Sequence, residues 1–179
     1  MNPSKPSLDE IVAVLHRTPA SLTTLLGGLS DTWVTATEGH HTWSPYDVIG
    51  HLIYGERVNW IPRARHILSG DARPFEPFDR TAQFAQSRGK QLSELLTTFA
   101  ELRRDNVAVL LGMNLTKGDL DRVGLHPEFG KVTLAQLLAT WAVHDLDHLG
   151  QIARTMAKVC TRSVGPWVTY LSILKDHQH

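Results

Sequence analysis

The sequence has little cysteine: Cys160 is the single one in 179 residues. That excludes an intrachain disulfide and fits a reducing compartment. It also lacks any uninterrupted apolar run near the ~18 residues of a membrane span, and its opening Met-Asn-Pro-Ser-Lys-Pro-Ser has no signal-peptide core. A cytoplasmic protein without membrane partners is the expectation. Charge of one sign is lacking too, because 18 Lys and Arg balance 18 Asp and Glu. Nothing in that balance favours nucleic acid, anionic membranes or acidic partners. Alternating strand-like runs, internal repeats and low-complexity segments are missing as well.

What remains is 42% hydrophobic and 20% charged, enough to bury a core, and the length fits one domain over residues 1–179. The apolar residues recur with helical spacing. Ser7-Leu8-Asp9-Glu10 reads as a capped start, and Ile11, Val14, Leu15, Leu22, Leu25 and Leu26 form a stripe before Gly27-Gly28. Pro19 predicts a kink or break near Thr18. Ser44-Pro45-Tyr46-Asp47 opens a second helix with inward positions Val48, His51, Gly55 and Val58, kinked or ended near Trp60 by Pro62. Gly70 to Pro77 reads as a linker. From about Thr81 a third long helix runs to Gly112, with Arg103-Arg104-Asp105 on a solvated face. Residues 114–132 read as a loop with a short extended pair around Val123 and Val132. Thr133-Leu134-Ala135-Gln136 starts a fourth helix ending near Val159, and Trp167 to Leu174 could form a short last one. The fold class is all-α, a four-helix bundle.

The fourth helix carries the chemistry. At about 100° per residue, Leu137, Trp141, His144, His148, Gln151 and Thr155 share one face. Two imidazoles therefore lie on an inward stripe, where an unpaired polar group costs on the order of 1–3 kcal/mol. Side chains at i and i+4 can converge on one cation at about 2.0–2.1 Å. His51, on the apolar face of the second helix, offers a third ligand. The other histidines sit near helix ends (His16, His66), in loops (His40, His41, His126) or in the tail (His177, His179), and among them His126 is the candidate pocket visitor. Cys160 lies too far along the helix to reach the site.

Three imidazoles would leave a coordination position open and a divalent charge uncompensated, which favours an anion such as hydroxide, a carboxylate or a thiolate. Imidazole ligands suit zinc, nickel, copper or iron(II) without choosing among them; zinc or nickel is taken as the expected metal, with iron or manganese as alternatives. Asp145, Asp147 and Gln151 flank the ligands. They could accept from the free imidazole N–H groups or act as base, or they could be surface carboxylates and a core glutamine. Gly55, one turn past His51, could leave pocket space or serve close helix packing. His144-Asp-Leu-Asp-His148 is a poor match to His-Glu-x-x-His proteases, since aspartate replaces the glutamate base.

The segments Trp43-Ser-Pro-Tyr-Asp-Val-Ile-Gly-His51-Leu and Val132 to Arg154, with His126-Pro-x-x-Gly130 between them, resemble the DinB/YfiT-like superfamily over most of residues 8–160. The resemblance implies an up-down-down-up bundle with a core at about 7–160, often dimeric, and a divalent metal on His51, His144 and His148. It also implies kinship with thiol-dependent transferases and isomerases and with metal-dependent hydrolases. The expected function is thus a metal-dependent enzyme that activates a thiolate or a water against a small molecule, with a low-molecular-weight thiol as one candidate partner. The alternatives are a metal-lined binding or sensing module, and core histidines that only hydrogen-bond. Together with the apolar positions on several helices, the resemblance leads to the expectation of a homodimer.

Overall fold

Four capped segments become the four long helices in the computed structural model, which describes residues 5–175. Ser7 and Glu10 form a reciprocal capping box at the head of α1, Leu8–Leu26. A short helix the sequence pattern did not signal, α2 (Asp31–Val34), interrupts the following connection. Ser44 caps α3 (Pro45–Val58) with Asp47 at the third position and Pro45 at the first. The chain breaks at Asn59 and continues as α4, Trp60–Ser69. Pro62 falls within the first turn of α4, where its missing N–H has no intrahelical partner to lose.

The helix expected from Thr81 to Gly112 is two helices, α5 (Ala82–Ser87) and α6 (Leu92–Gly112). Gly89, at φ 78, supplies the left-handed residue that turns the chain between them. After the single turn α7 (Lys117–Leu120), β1 (Val123–His126) pairs antiparallel with β2 (Gly130–Thr133), Val123 opposite Thr133. Thr133 and Gln136 box the start of α8, Leu134–Val159. The last segment forms two 3-10 helices, Gly165–Tyr170 and Ser172–Leu174, rather than one α-helix.

The helices α1, α3, α6 and α8 form an up-down-down-up four-helix bundle. In it α1 packs on α6 and α8, and α3 packs on the same two. The apolar interior is not continuous. One cluster gathers Leu15, Trp60, Val107, Leu110, Leu138 and Trp141, and a second gathers Leu22, Leu26, Leu52, Leu95, Phe99 and Ile152. Between them along the helices lie polar side chains: Glu56, Arg103 and Asp145 are 2%, 1% and 0% exposed.

Arg103 overturns the expected solvated face. All five of its N–H donors are used: Nε and Nη2 donate to Glu56 Oε1 at 3.1 and 2.8 Å, Nη2 and Nη1 to the two Asp145 oxygens, and Nη1 to the Leu15 carbonyl at 3.0 Å. That last bond also explains why α1 stays one continuous helix through Pro19. Proline 19 has no N–H for the Leu15 carbonyl four residues back, and the guanidinium takes its place.

Replacing Arg103 would leave two buried carboxylates facing each other. Arg103→Met is expected to destabilise the fold by about 3–5 kcal/mol, read as a urea midpoint. Combining it with Asp145→Leu should cost less than the sum of the two single changes, since each alone strands a charge. Strict additivity would contradict the network.

Candidate metal centre

His51 comes from the middle of α3, and His144 and His148 from consecutive turns of α8. All three present Nε2 to one point. His144 Nε2 lies 3.1 Å from His51 Nε2 and 3.2 Å from His148 Nε2, and the three candidate donor atoms all fall within 4.8 Å of one another. Nitrogen ligands about 2.0–2.1 Å from one tetrahedral ion stand roughly 3.3 Å apart. The residues therefore fit such an ion.

The tautomers point the same way. His148 Nδ1 donates to Gln151 Oε1 at 2.8 Å, so its Nε2 carries the lone pair toward the other rings. A neutral imidazole nitrogen has one lone pair or one proton. His144 Nε2 cannot therefore make ordinary hydrogen bonds with two neighbours at once. His51 Nδ1 and His144 Nδ1 are buried without a hydrogen-bond partner among the described residues.

Aromatic rings close the site. Trp43 lies 4.8 Å from the His51 ring, centroid to centroid, and stacks on His148 at 6.4 Å, while Phe78 meets His51 edge-on at 5.4 Å. Trp60 is edge-on to His144 at 5.2 Å. Burial lowers the proton affinity of all three rings, and their mutual charge lowers it further for His51 and His144; His51 falls to about 4 and His144 lower still. The imidazoles are neutral at pH 7, the form in which they can coordinate.

The flanking candidates divide. Gln151 takes the position beside His148 that the helical spacing suggested. Asp145 does not reach the rings: it is turned toward Arg103. Asp147 is exposed, and its charge favours the protonated form of His148. Gly55 sits against Trp60, whose Nε1 would be 3.4 Å from an added Cβ, so one ring separates it from the imidazoles. His126 is held in the hairpin, where its Nδ1 accepts from the backbone N–H of Glu128 and Phe129 and its ring stacks on Phe129 at 4.5 Å. It has no ring contact with the three histidines. His66 bonds the Arg73 carbonyl, and His177 and His179 lie outside the described residues. Sequence reasoning missed Trp43 and Phe78 as walls and Gln83, wholly buried, as a neighbour of His51. A groove of about 960 Å³ between α1, α2 and the start of α6 is lined by none of these residues.

Fold and donor set together define a helical bundle with a pocket of three histidines able to hold a divalent ion. The chain belongs to the DinB superfamily, whose family model matches residues 14–152. Among solved structures it is similar to YfiT from Bacillus subtilis, described as a probable metal-dependent hydrolase with an unusual four-helix bundle topology. That likeness has TM-score 0.72 and 22% identity, covering 92% of this chain and 94% of YfiT. The four-helix bundle protein TT2238 aligns with TM-score 0.51 and 21% identity over 82% of this chain and 98% of its own. A mycothiol-dependent maleylpyruvate isomerase aligns with TM-score 0.58 and 13% identity over 92% and 72%. No curated protein sequence matches the chain. Among the described residues no helix is long and apolar enough to cross a membrane.

The lowered proton affinities set a pH dependence for the metal-free protein. Below about pH 6.5 the unfolded chain binds protons at these histidines, while folded His51 does so only near pH 4. Stability is fully present above pH 6.5 and falls as the pH drops towards 4, by up to about 1.4 kcal/mol per pH unit for each histidine. Urea midpoints measured from pH 7 to 4.5 without metal should show this slope, and His144→Phe should flatten it. A flat wild-type profile would contradict the burial argument.

Proposed function

We propose that His51, His144 and His148 hold one divalent ion, zinc or nickel with iron or manganese as alternatives, in a metal-dependent enzyme acting on a small molecule. The observation that carries the reading is the convergence of three Nε2 atoms with the far side of His148 tied to Gln151. Such an ion would supply Lewis acidity and lower the pKa of a water or thiol bound at the open position. The chain's own residues do the rest. Burial keeps the imidazoles neutral, Gln151 holds the His148 tautomer, and Trp43 and Phe78 screen the pocket from bulk water. Asp147, exposed beside His148, is the remaining candidate for moving a proton at the pocket edge.

The relatives support two chemistries, hydrolysis after YfiT and thiol-dependent transfer or isomerisation after the mycothiol-dependent enzyme. Protein loaded with zinc or nickel and desalted should retain about one ion per chain by elemental analysis. His51→Ala, His144→Ala and His148→Ala should each abolish retention, while His16→Ala and His66→Ala leave it unchanged. Loss of metal from the two controls, or none bound by the wild type, would leave only a structural role for the histidines. Turnover of an ester and amide panel, or of a thiol with an electrophile, that a chelator abolishes would identify the enzyme. Ligand capture without turnover would identify a binding or sensing module.

Val143 and Leu146, three residues apart on the outer face of α8, are 62% and 53% exposed. We propose that this apolar pair lies in a homodimer interface. Light scattering at micromolar concentration should give twice the chain mass, and Leu146→Glu should halve it; a monomer mass for the wild type would reject the dimer.

A further inference from the structure

Gln83 is the most deeply buried polar side chain outside the network already described. It is fully buried on the short helix α5, and neither its Nε2 nor its Oε1 has a hydrogen-bond partner among the described residues. Two unpartnered polar atoms in one buried amide are costly, so the position calls for a partner. The packing of α5 shows where that partner lies. A Cβ on Gly50 would stand 2.3 Å from Ser87 Oγ and 3.7 Å from Gln83 Cβ, so the glycine lets α5 close directly on α3. This seats Gln83 beside the residue before His51.

His51 has the complementary deficiency. Its Nε2 points to the other imidazoles, and its buried Nδ1 lacks an acceptor among the described residues. When Nε2 coordinates, the ring proton resides on Nδ1, and a buried N–H there needs an oxygen. Seated beside Gly50, Gln83 is the neighbouring buried amide whose oxygen is unused among the described residues. His148 already illustrates the arrangement, with Nδ1 donating to the amide oxygen of Gln151 at 2.8 Å.

Building on the metal reading above, we infer that Gln83 is a positioning residue for the metal centre: its Oε1 accepts from His51 Nδ1–H, so that ion binding at Nε2 completes a hydrogen bond between α5 and α3. The ligand on α3 and one of the two on α8, His148, are then each held by a glutamine amide, one supplied by a neighbouring helix and one by the same helix. Ion binding and the docking of α5 are coupled, each strengthening the other.

The test compares zinc affinity, by competition with a chromophoric chelator, with the melting temperature of the metal-free protein. Gln83→Met keeps the length and removes both polar atoms. It should weaken zinc binding about 10–100-fold while leaving the metal-free melting temperature equal or higher, because two unpartnered buried atoms are gone. Gln83→Glu, which keeps an acceptor, should restore zinc affinity. Unchanged affinity in Gln83→Met, or weakened affinity with a lowered metal-free melting temperature and no rescue by Gln83→Glu, overturns the assignment. Should Gln83→Met fail to fold, hydrogen exchange of the wild type decides: zinc should slow exchange across residues 82–87, and no change there overturns it. A wild type that binds no zinc overturns the metal reading itself, a result distinct from any of these.

Discussion

The buried guanidinium of Arg103 is the constraint on which the bundle depends. It reaches from α6 to the Leu15 carbonyl on α1, the Glu56 carboxylate on α3 and the Asp145 carboxylate on α8. Every long helix is tied to one planar group. Hydrophobic contacts alone specify a bundle loosely, since apolar faces can slide or rotate with small loss. A five-donor fork with fixed geometry admits one arrangement. Buried ion pairs add little net stability against an apolar replacement, so the contribution here is to the register of the helices. Phe99 and Trp141 lie against the guanidinium, which stands 4.9 and 5.2 Å from their ring centroids.

The same constraint positions the imidazoles. Asp145 directly follows His144, so fixing Asp145 on Arg103 sets the rotation of α8 about its axis and hence the direction of His144 and His148. Glu56 lies five residues beyond His51 on α3 and does the same for that helix. Its carboxylate also accepts from Trp141 Nε1 at 3.0 Å and from Asn106 Nδ2 at 2.9 Å. Trp141 stacks on Trp60 at 5.6 Å, and Trp60 meets His144 edge-on. A continuous set of contacts thus runs from the ion-pair layer to the three rings. A displacement of one helix by a fraction of an ångström would separate the Nε2 atoms, and the network resists it.

Helix starts and the three histidines were legible in the sequence because both depend on local spacing. Ser7, Ser44 and Thr133 each cap with a partner three residues on, and His144 and His148 share a stripe fixed by helical periodicity. Arg103 does carry a signal in the sequence. It falls between Phe99 and Val107, four residues from each, on the stripe that enters the core, and a charge in that place requires buried partners. Those partners stand 42 and 47 residues away, a distance at which one sequence offers no pairing rule. Pro19 failed as a breaker for the same reason, since the donor that replaces its missing N–H lies 88 residues from Leu15. Trp43, Phe78 and Gln83 come from connections and a single short helix, where no periodicity marks an inward face.

The formal charge of the interior bears on how three neutral ligands would suffice for a divalent ion. Counting Glu56 and Asp145 against Arg103, the polar layer holds two carboxylates for one guanidinium, a surplus of one negative charge with 2% or less exposure on each member. Hydrogen bonds from Trp141 and Asn106 to Glu56 spread that surplus without cancelling it. The three imidazoles next to the layer are kept uncharged by burial, so the surplus has no counter-charge among the side chains that form the site. A divalent ion on the three Nε2 atoms would supply it, and the two together would carry a net charge of one, less than the ion alone. In a medium of low dielectric this would reduce the cost of holding the ion, and the remaining positive charge would face the open position, where an anionic nucleophile would bind.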